Sequence, residues 1–501
     1  MFGETMKYKI DNIENVGETL ILPLFENVSK VPNLGMNGLI RNMKIQLKSA
    51  IKSNDFSGKK GDFLELWSEE QKIILIGMGI EDEINKKTSR DTGGKVLSKL
   101  SKYHGNNITL RFTKGWKLNS MVAFVEGMML SDYKFDEYIT TNDDESEEIT
   151  LTIQASNRYL ENLNTHLSQC SSISEGVNIS RDLANAPPNV MYPQAYAEKA
   201  IEWAKDKENA SVTVIDWDGL KREKMGGLIN VGKGSARKPC MVIFELNTKS
   251  NSNPPVIVGK GITFDTGGIS IKPSAGMEEM KLDMHGSTTV FGLIHALQGI
   301  GYKDHIVGIA CLAENMPSSN AYRPGDIIST YSGKTIEVFN TDAEGRKVLA
   351  DGLWKAGEYN PKFIIDLATL TGAVVVALGY EGSGMWTNDE NLGKQLCNSG
   401  NECDELIWQM PLWPGFEKEM KDSKVADVRD LGKTRWGGSN KAAAFLKQFL
   451  PKDKNGKEIP WAHIDIAGTS GMGGQKDNSF VKYGATGVHV RTLVHLIQNL
   501  E

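Results

Sequence analysis

The stretch Asn340-Thr341-Asp342-Ala343-Glu344-Gly345-Arg346 constrains this chain more than any other. It puts two carboxylates and a guanidinium within a few residues, directly after the apolar, strand-like run Thr335-Ile336-Glu337-Val338-Phe339. Upstream lies a second concentration of charge, Lys260, Asp265, Lys272 and Asp283, in a segment that follows the apolar run Val256-Ile257-Val258. Charges that follow apolar strands stand where an α/β sheet ends and where such sheets bind their ligands. Acidic oxygens gathered there suit a pair of divalent cations. The residues alone point to chemistry built on two metal ions, and to hydrolysis.

At 501 residues the chain is too long for one hydrophobic core, so two domains are the default. Residues 19–150 mix short apolar strands with amphipathic helices, and Lys72-Ile73-Ile74-Leu75-Ile76-Gly77-Met78-Gly79 reads as a buried strand ending in a glycine turn. The acidic run Asn142-Asp143-Asp144-Glu145-Ser146-Glu147-Glu148 reads as a solvated loop at the edge of this first domain. A helical connector follows over 156–186 and stops at Pro187-Pro188, which cannot continue a helix. Beyond it, Val256-Ile257-Val258, His305–Ala310, Phe363–Leu367 and His463–Ile466 read as strands, with helical patterns over Gly286–Gly299 and Ala343–Gly357. That alternation predicts an α/β fold, with an N-terminal α/β domain over 1–155 and a second α/β domain over 187–501 around a mostly parallel sheet.

An apolar content of 40% and a charged content of 24% describe an ordinary soluble globular protein. The net charge of −6 gives no electrostatic reason to expect nucleic acid or an anionic membrane as the main partner. The first residues lack the apolar core of a signal peptide, and the longest apolar stretch, Phe363 to Gly379, is short for a membrane span and contains Asp366. Five scattered cysteines without paired spacing fit buried thiols in a reducing cytoplasm.

Most Asp and Glu residues are solvated surface groups. Here the context differs. Asp265 precedes Gly267-Gly268, which let backbone approach a ligand closely, and Asp283 lies just before a helix. Asp342 and Glu344 flank a strand-to-helix turn that can aim both carboxylates into one cavity. Four carboxylates converging without compensation repel strongly, and a pair of divalent cations is the natural neutraliser. Lys260 sits between two glycines after an apolar run, and a neutral amine there can bind a metal. Lys272 follows Ile269-Ser270-Ile271 and can stay charged to stabilise an oxyanion.

Three segments, Val258–Asp283, Asn340–Leu353 and Asp366–Ala373, resemble the signature stretches of the cytosolic leucyl aminopeptidase family. Weaker resemblance covers most of residues 180–501, including Arg181-Asp182-Leu183, Asn185, Pro187-Pro188-Asn189, Trp461–Gly468 and Gly484–Gly487. The first 150 residues match in general pattern only. The resemblance implies a macro-like N-terminal domain, a catalytic C-terminal domain, and a metal site of Lys260, Asp265, Asp283, Asp342 and Glu344. It implies that Asp265 and Glu344 bridge two ions, that Lys260 and Asp283 complete one, and that Asp342, with its backbone carbonyl, completes the other. Zinc or manganese is implied, with magnesium and cobalt as further candidates. Lys272 and Arg346 take the catalytic positions, Lys272 for the oxyanion and Arg346 for a bicarbonate that relays a proton to the leaving amine. Met280, Thr369, Gly372, Ala467 and Ser470 take the positions of the side-chain pocket, which suits leucine or methionine. The resemblance further implies a homohexamer acting on short peptides that carry a free α-amine.

The chain departs from this pattern at three positions. His285 replaces a glycine two residues after Asp283 and reads as a packed histidine, or one behind a ligand, rather than an extra ligand. Lys347 and Lys441 replace residues commonly leucine and threonine. Other motifs fall away. Gly227–Gly234 nearly fits a phosphate-binding loop, but Gly234 stands where Ser or Thr must hold magnesium; no histidine is followed by Glu; and Gly-x-Ser-x-Gly is absent. Two alternatives stand beside the aminopeptidase reading. One is a scaffold or nucleic-acid-binding protein that keeps the fold. The other is a dipeptidase for substrates such as cysteinylglycine.

Overall fold

The computed structural model describes residues 5–11, 16–26, 36–53, 55–100, 105–141, 149–250, 252–472, 480–481 and 483–500. The acidic run 142–148 lies outside the described residues. The chain forms two compact units, one carrying Glu175–Lys476 and Tyr483–Glu501, the other chiefly Glu4–Ser174. The helix Leu160–Asn185 carries the chain from one to the other.

The smaller unit is built on six strands: β1 (Lys7–Asp11), β2 (Thr19–Leu24), β3 (Phe63–Trp67), β4 (Lys72–Gly77), β5 (Asn107–Arg111) and β6 (Thr150–Gln154). Their spatial order is β1-β6-β5-β2-β4-β3, parallel except where β3 pairs with β4. Every residue of β2 is buried, as expected for an inner parallel strand covered on both faces.

The larger unit contains β7 (Ala210–Ile215), β8 (Cys240–Leu246), β9 (Pro255–Asp265), β10 (Ile306–Asn315), β11 (Ile327–Ser329), β12 (Thr335–Glu337), β13 (Phe363–Ala368), β14 (Ser383–Thr387), β15 (Ile407–Gln409), β16 (Val428–Arg429) and β17 (Trp461–Asp465). Eight of them form one sheet, ordered β15-β14-β17-β13-β9-β10-β8-β7. Its centre, β17-β13-β9-β10, is parallel, and antiparallel pairing begins only at β14 and β8. A small sheet of β11, β12 and β16 lies apart from it in pairing. The α/β expectation and the mostly parallel centre therefore hold. The glycine-rich stretch near 227–234 is largely helix, over Gly226–Gly232, rather than a phosphate loop. All five cysteines are free thiols, and no helix among the described residues is long and apolar enough to cross a membrane.

The structure corrects one boundary in an informative way. The apolar run suggested a strand ending near Val258, with Lys260 and Asp265 beyond it. Instead β9 continues through Gly259, Lys260 and Gly261 to Asp265, paired with β10 up to Asn315 with one register shift between Ala313 and Glu314. Glycine here does not break the strand but lets another backbone rest on it. A Cβ at Gly259 would meet the Gly286 carbonyl oxygen at 2.4 Å, and one at Gly286 would meet the Leu367 carbonyl oxygen at 2.1 Å. The helix His285–Gly299 thus packs main chain to main chain against β9 and β13. That close approach brings Asp283, in the 3₁₀ segment just before the helix, to Lys260.

Gly286→Ala sets two effects against each other. Helix propensity favours alanine by about 1 kcal/mol. Overpacking against a backbone that cannot yield costs about 1–3 kcal/mol or more. The clash wins, and thermal unfolding is expected to show a lower midpoint; an unchanged or higher midpoint would refute this account of the packing.

Candidate metal centre

Six charged side chains meet at the ends of β9 and β13. The Lys260 ammonium is 2.8 Å from Asp283 Oδ1 and 2.9 Å from Glu344 Oε1, and it donates to the Thr369 carbonyl at 2.8 Å. Lys272, on the loop after β9, reaches Asp265 Oδ2 at 2.9 Å and Asp342 Oδ1 at 2.5 Å. One carboxylate oxygen from each of Asp265, Asp342 and Glu344 lies within 4.8 Å of the other two. The sequence candidates Lys260, Asp265, Lys272, Asp283, Asp342 and Glu344 are therefore brought together from four separate segments.

Fixed hydrogen bonds set Asp265 and Asp283 and the loops around them. Asp265 Oδ1 accepts from Asn315 Nδ2 at 2.8 Å and from the Gly267 amide at 2.9 Å. Gly267 and Gly268 both have positive φ, which lets the loop turn back beneath the carboxylate. Thr341 stitches this loop to the next: its hydroxyl donates to the Gly267 carbonyl at 2.6 Å and accepts from the Ser270 amide at 2.7 Å. Asp283 Oδ1 accepts from the Thr369 hydroxyl at 2.8 Å. Asp465, at the end of β17, holds the Thr369 loop by accepting from the Leu370 amide and from the Thr371 hydroxyl. Glu344 opens the helix Glu344–Ala356, where the N-terminal dipole favours its charge.

The electrostatics leave room for cations. Four carboxylates meet two ammonium groups, so negative charge remains uncompensated. Asp283 Oδ2 and Glu344 Oε2 are buried and have no hydrogen-bond partner among the described residues. Burial pushes the Asp265 carboxyl up to about 6, reinforced by Glu344 and opposed by Lys272 and Lys260. Burial also holds Asp283 well above the usual carboxylate range against the pull of Lys260. Burial disfavours charge on Lys260, yet Asp283, Glu344 and Asp265 outweigh it and keep the amine protonated. Added positive charge would reverse both tendencies, ionising the acids and releasing the lysine proton. Unbonded carboxylate oxygens at this spacing fit divalent metal ions.

The remaining sequence candidates are placed less directly. Arg346 is buried and donates from Nη1 to the Asp430 carbonyl at 2.7 Å, while its Nε has no partner among the described residues. It makes no ion pair with the carboxylate cluster among the described residues. Of the pocket positions, Thr369 is bonded into the centre itself. Met280 and Ala467 are half-buried, and a Cβ on exposed Gly372 would meet only open space. Ser470 is fully buried, with its hydroxyl on the Ala467 carbonyl at 3.4 Å. His285 is buried and accepts from the Gly487 amide through Nε2 at 3.2 Å; burial, with Arg181 and His489 nearby, pushes it down to about 3. It is a neutral, packed histidine. Asn315, Thr341, Asp430 and Asp465 were not singled out by residue type. The signal for Asp465 was its place in the Trp461–Gly468 resemblance, and that for Asn315 its position at the end of an apolar run.

Residues 178–494 match the model of the cytosol aminopeptidase family catalytic domain, and residues 21–142 that of its N-terminal domain. A protein of Wolbachia pipientis named "Probable cytosol aminopeptidase" is 37% identical, over 98% of this chain and 96% of its own. A Bradyrhizobium protein of the same name is 40% identical, over 88% of each chain. Among solved structures, a mutant tomato leucine aminopeptidase superposes with a TM-score of 0.83 at 29% identity, covering 99% of this chain and 97% of that one. The bottromycin maturation enzyme BotP in complex with Mn gives 0.81 at 27% identity, covering 96% and 99%. Fold, site and relatives together define a metal-dependent aminopeptidase, a hydrolase. The chain belongs to the cytosol aminopeptidase family.

Because Asn315 orients Asp265 and bridges to the Thr341 carbonyl at 3.1 Å, Asn315→Ala is expected to weaken metal binding about 10–100-fold. Titration calorimetry with manganese reads this directly, and an unaltered affinity would remove Asn315 from the design of the site.

Proposed function

We propose that this chain releases single N-terminal residues, leucine-like ones preferentially, from short peptides, using two divalent ions per subunit. The observation that carries this is the convergence of Lys260, Asp265, Asp283, Asp342 and Glu344 with buried carboxylate oxygens left unbonded among the described residues. These five residues are the proposed ligands. Zinc or manganese suits the mixed amine and carboxylate set, with magnesium and cobalt as further candidates. Bound divalent ions supply Lewis acidity and a water acidic enough to act near neutral pH.

The chain's own groups do the rest. Burial works against charge on Lys272, but Asp265, Glu344, Asp283 and Asp342 hold its amine above the ordinary lysine range. It is partly open to solvent, so it can donate to a developing oxyanion. Arg346, anchored through Nη1 with Nε uncommitted among the described residues, is the proposed holder of a bicarbonate that moves a proton toward the leaving nitrogen. The openness beside Gly372, with half-buried Met280 and Ala467, supports a small-walled apolar pocket suited to leucine or methionine. Thr369 and Ser470 complete the proposed pocket by position, Thr369 also orienting Asp283. We further take 1–155 as the N-terminal domain, 156–186 as the connector and 187–501 as the catalytic domain. A cytoplasmic location accords with the relatives' names, and a homohexamer follows from the sequence resemblance alone.

The purified protein, stripped with chelator and reloaded with manganese or zinc, is expected to cleave leucine p-nitroanilide but not its N-acetylated form. Equal cleavage of both would contradict the requirement for a free amine. Failure to cleave with any metal, alongside cleavage of cysteinylglycine, would transfer the site to the dipeptidase reading. Asp342→Asn and Glu344→Gln are expected to abolish turnover and lower bound metal below two ions per chain by elemental analysis; full metal content would count against their assignment. Lys272→Ala is expected to retain both ions while kcat falls about 100-fold or more; an unchanged kcat would remove its role.

A further inference from the structure

Lys347 lies one residue beyond Arg346, makes no ion pair with the carboxylate cluster among the described residues and is fully buried. Its ammonium pairs with Asp430 Oδ2 at 2.7 Å and donates to the carbonyls of Asn340 at 3.0 Å and Ala343 at 2.9 Å, which uses all three of its donors. It also lies 5.4 Å from the centroid of the Tyr322 ring, whose hydroxyl donates to the Thr341 carbonyl. Asp430 is equally buried. Its Oδ1 accepts from the Phe339 amide at 2.8 Å, its Oδ2 lies 3.4 Å from the Asn340 amide, and its own amide donates to the Glu337 carbonyl at 3.2 Å. Its main-chain carbonyl is the acceptor that anchors Arg346.

These contacts form a clip. Lys347 holds the carbonyls at both ends of 340–343, and Asp430 holds the amides at its start. Between them sits Asp342, whose own amide is held by the Asn340 side chain at 2.8 Å. We propose that Lys347 and Asp430 act as one positioning unit that sets the 339–343 loop and the Arg346 guanidinium, and with them the geometry of the reacting site. The inference rests on the reading of Asp342, Glu344 and Arg346 given above, and its pattern of mutational effects follows from burial. Removing one partner of a buried ion pair strands the other as an uncompensated charge, whereas neutralising both together removes that part of the cost. The losses at Lys347 and Asp430 should therefore be coupled, the two changes together costing less than the product of the singles.

Lys441 supplies the control. It is also a buried lysine in an ion pair, 3.0 Å from Glu419 Oε1, and donates to the Thr434 carbonyl at 3.1 Å. None of these partners touches residues 339–346 through a hydrogen bond or ion pair among the described residues, so Lys441→Thr should lower stability without reaching the site.

The test is a double-mutant cycle of Lys347→Met and Asp430→Asn on the metal-replete protein. It is read by hydrogen–deuterium exchange of peptides covering 339–343 and by kcat and KM for a leucine substrate. Each single variant is expected to speed exchange there by about tenfold or more and to lower kcat by a similar factor with KM within about twofold. The double variant is expected to be no worse than the poorer single variant on both readouts, because the stranded charge is gone while the two carbonyls stay unpaired. Lys441→Thr is expected to leave exchange at 339–343 and kcat within about twofold while lowering the melting temperature. Unchanged exchange in Lys347→Met, a double variant as poor as the product of the singles, or equal kcat loss in Lys441→Thr would each overturn the proposal. If a single variant does not fold, the double variant decides: a folded protein with faster exchange at 339–343 supports the matched pair, and one that is unfolded or exchanges as the parent does overturns it. An inactive parent would instead count against the proposed function, leaving the exchange measurement to judge the clip.

Discussion

Four carboxylates drawn into one largely buried site are the constraint on which the catalytic unit depends. In a low-dielectric interior such a cluster is untenable without positive charge close by. Lys260 and Lys272 provide part of it, each bridging two acids. What they leave over is negative charge and unbonded oxygens, which fit divalent cations. Binding and stability are therefore linked here: the site is most costly empty, and a metal that fills it also ties together segments far apart in the chain.

A cluster of this kind functions only if its members are aimed, and the aiming is done by neutral groups and main chain. Asn315 and the Gly267 amide fix Asp265, Thr369 fixes Asp283, and Thr341 joins the two loops that carry acids. Asp465 and Asp430 act one layer further out, each accepting main-chain amides from a loop that bears a site residue. The parallel strand ends supply the platform, because β9, β10, β13 and β17 all deliver such a residue at the same edge of the sheet. The buried Lys347–Asp430 pair extends this arrangement to Arg346, which has no carboxylate partner of its own in the cluster among the described residues.

Much of this was legible in the chain. The strands at β10, β13 and β17 and the helices His285–Gly299 and Glu344–Ala356 follow from apolar periodicity, which is a local property. The cluster residues were legible because charge immediately after an apolar run is rare in a sheet interior and common at its functional edge. The end of β9 was not, since a glycine is compatible with either a turn or a close backbone crossing, and only the position of Gly286 decides between them. Thr369 was read as a pocket wall, and its hydroxyl and carbonyl are in addition committed to Asp283 and Lys260. Nothing local to Thr369 could have revealed partners about 85–110 residues away in sequence.

The two lysines that depart from the family pattern mark the boundary between what sequence and structure decide. From the chain alone, Lys347 was simply a charge beside Arg346 and could equally have faced the cavity. Its burial against Asp430, far along the sequence, makes it a brace instead of a ligand. By itself, the sequence determined the kind of chemistry, the order of the segments that bring it, and the strand-and-helix alternation that holds them, because residue type and periodicity are carried by neighbours in the chain. Only the tertiary structure decided which oxygens stay unbonded, which lysines balance the acids and which ones clamp loops. Burial and charge balance are sums over groups that meet only once the chain has folded.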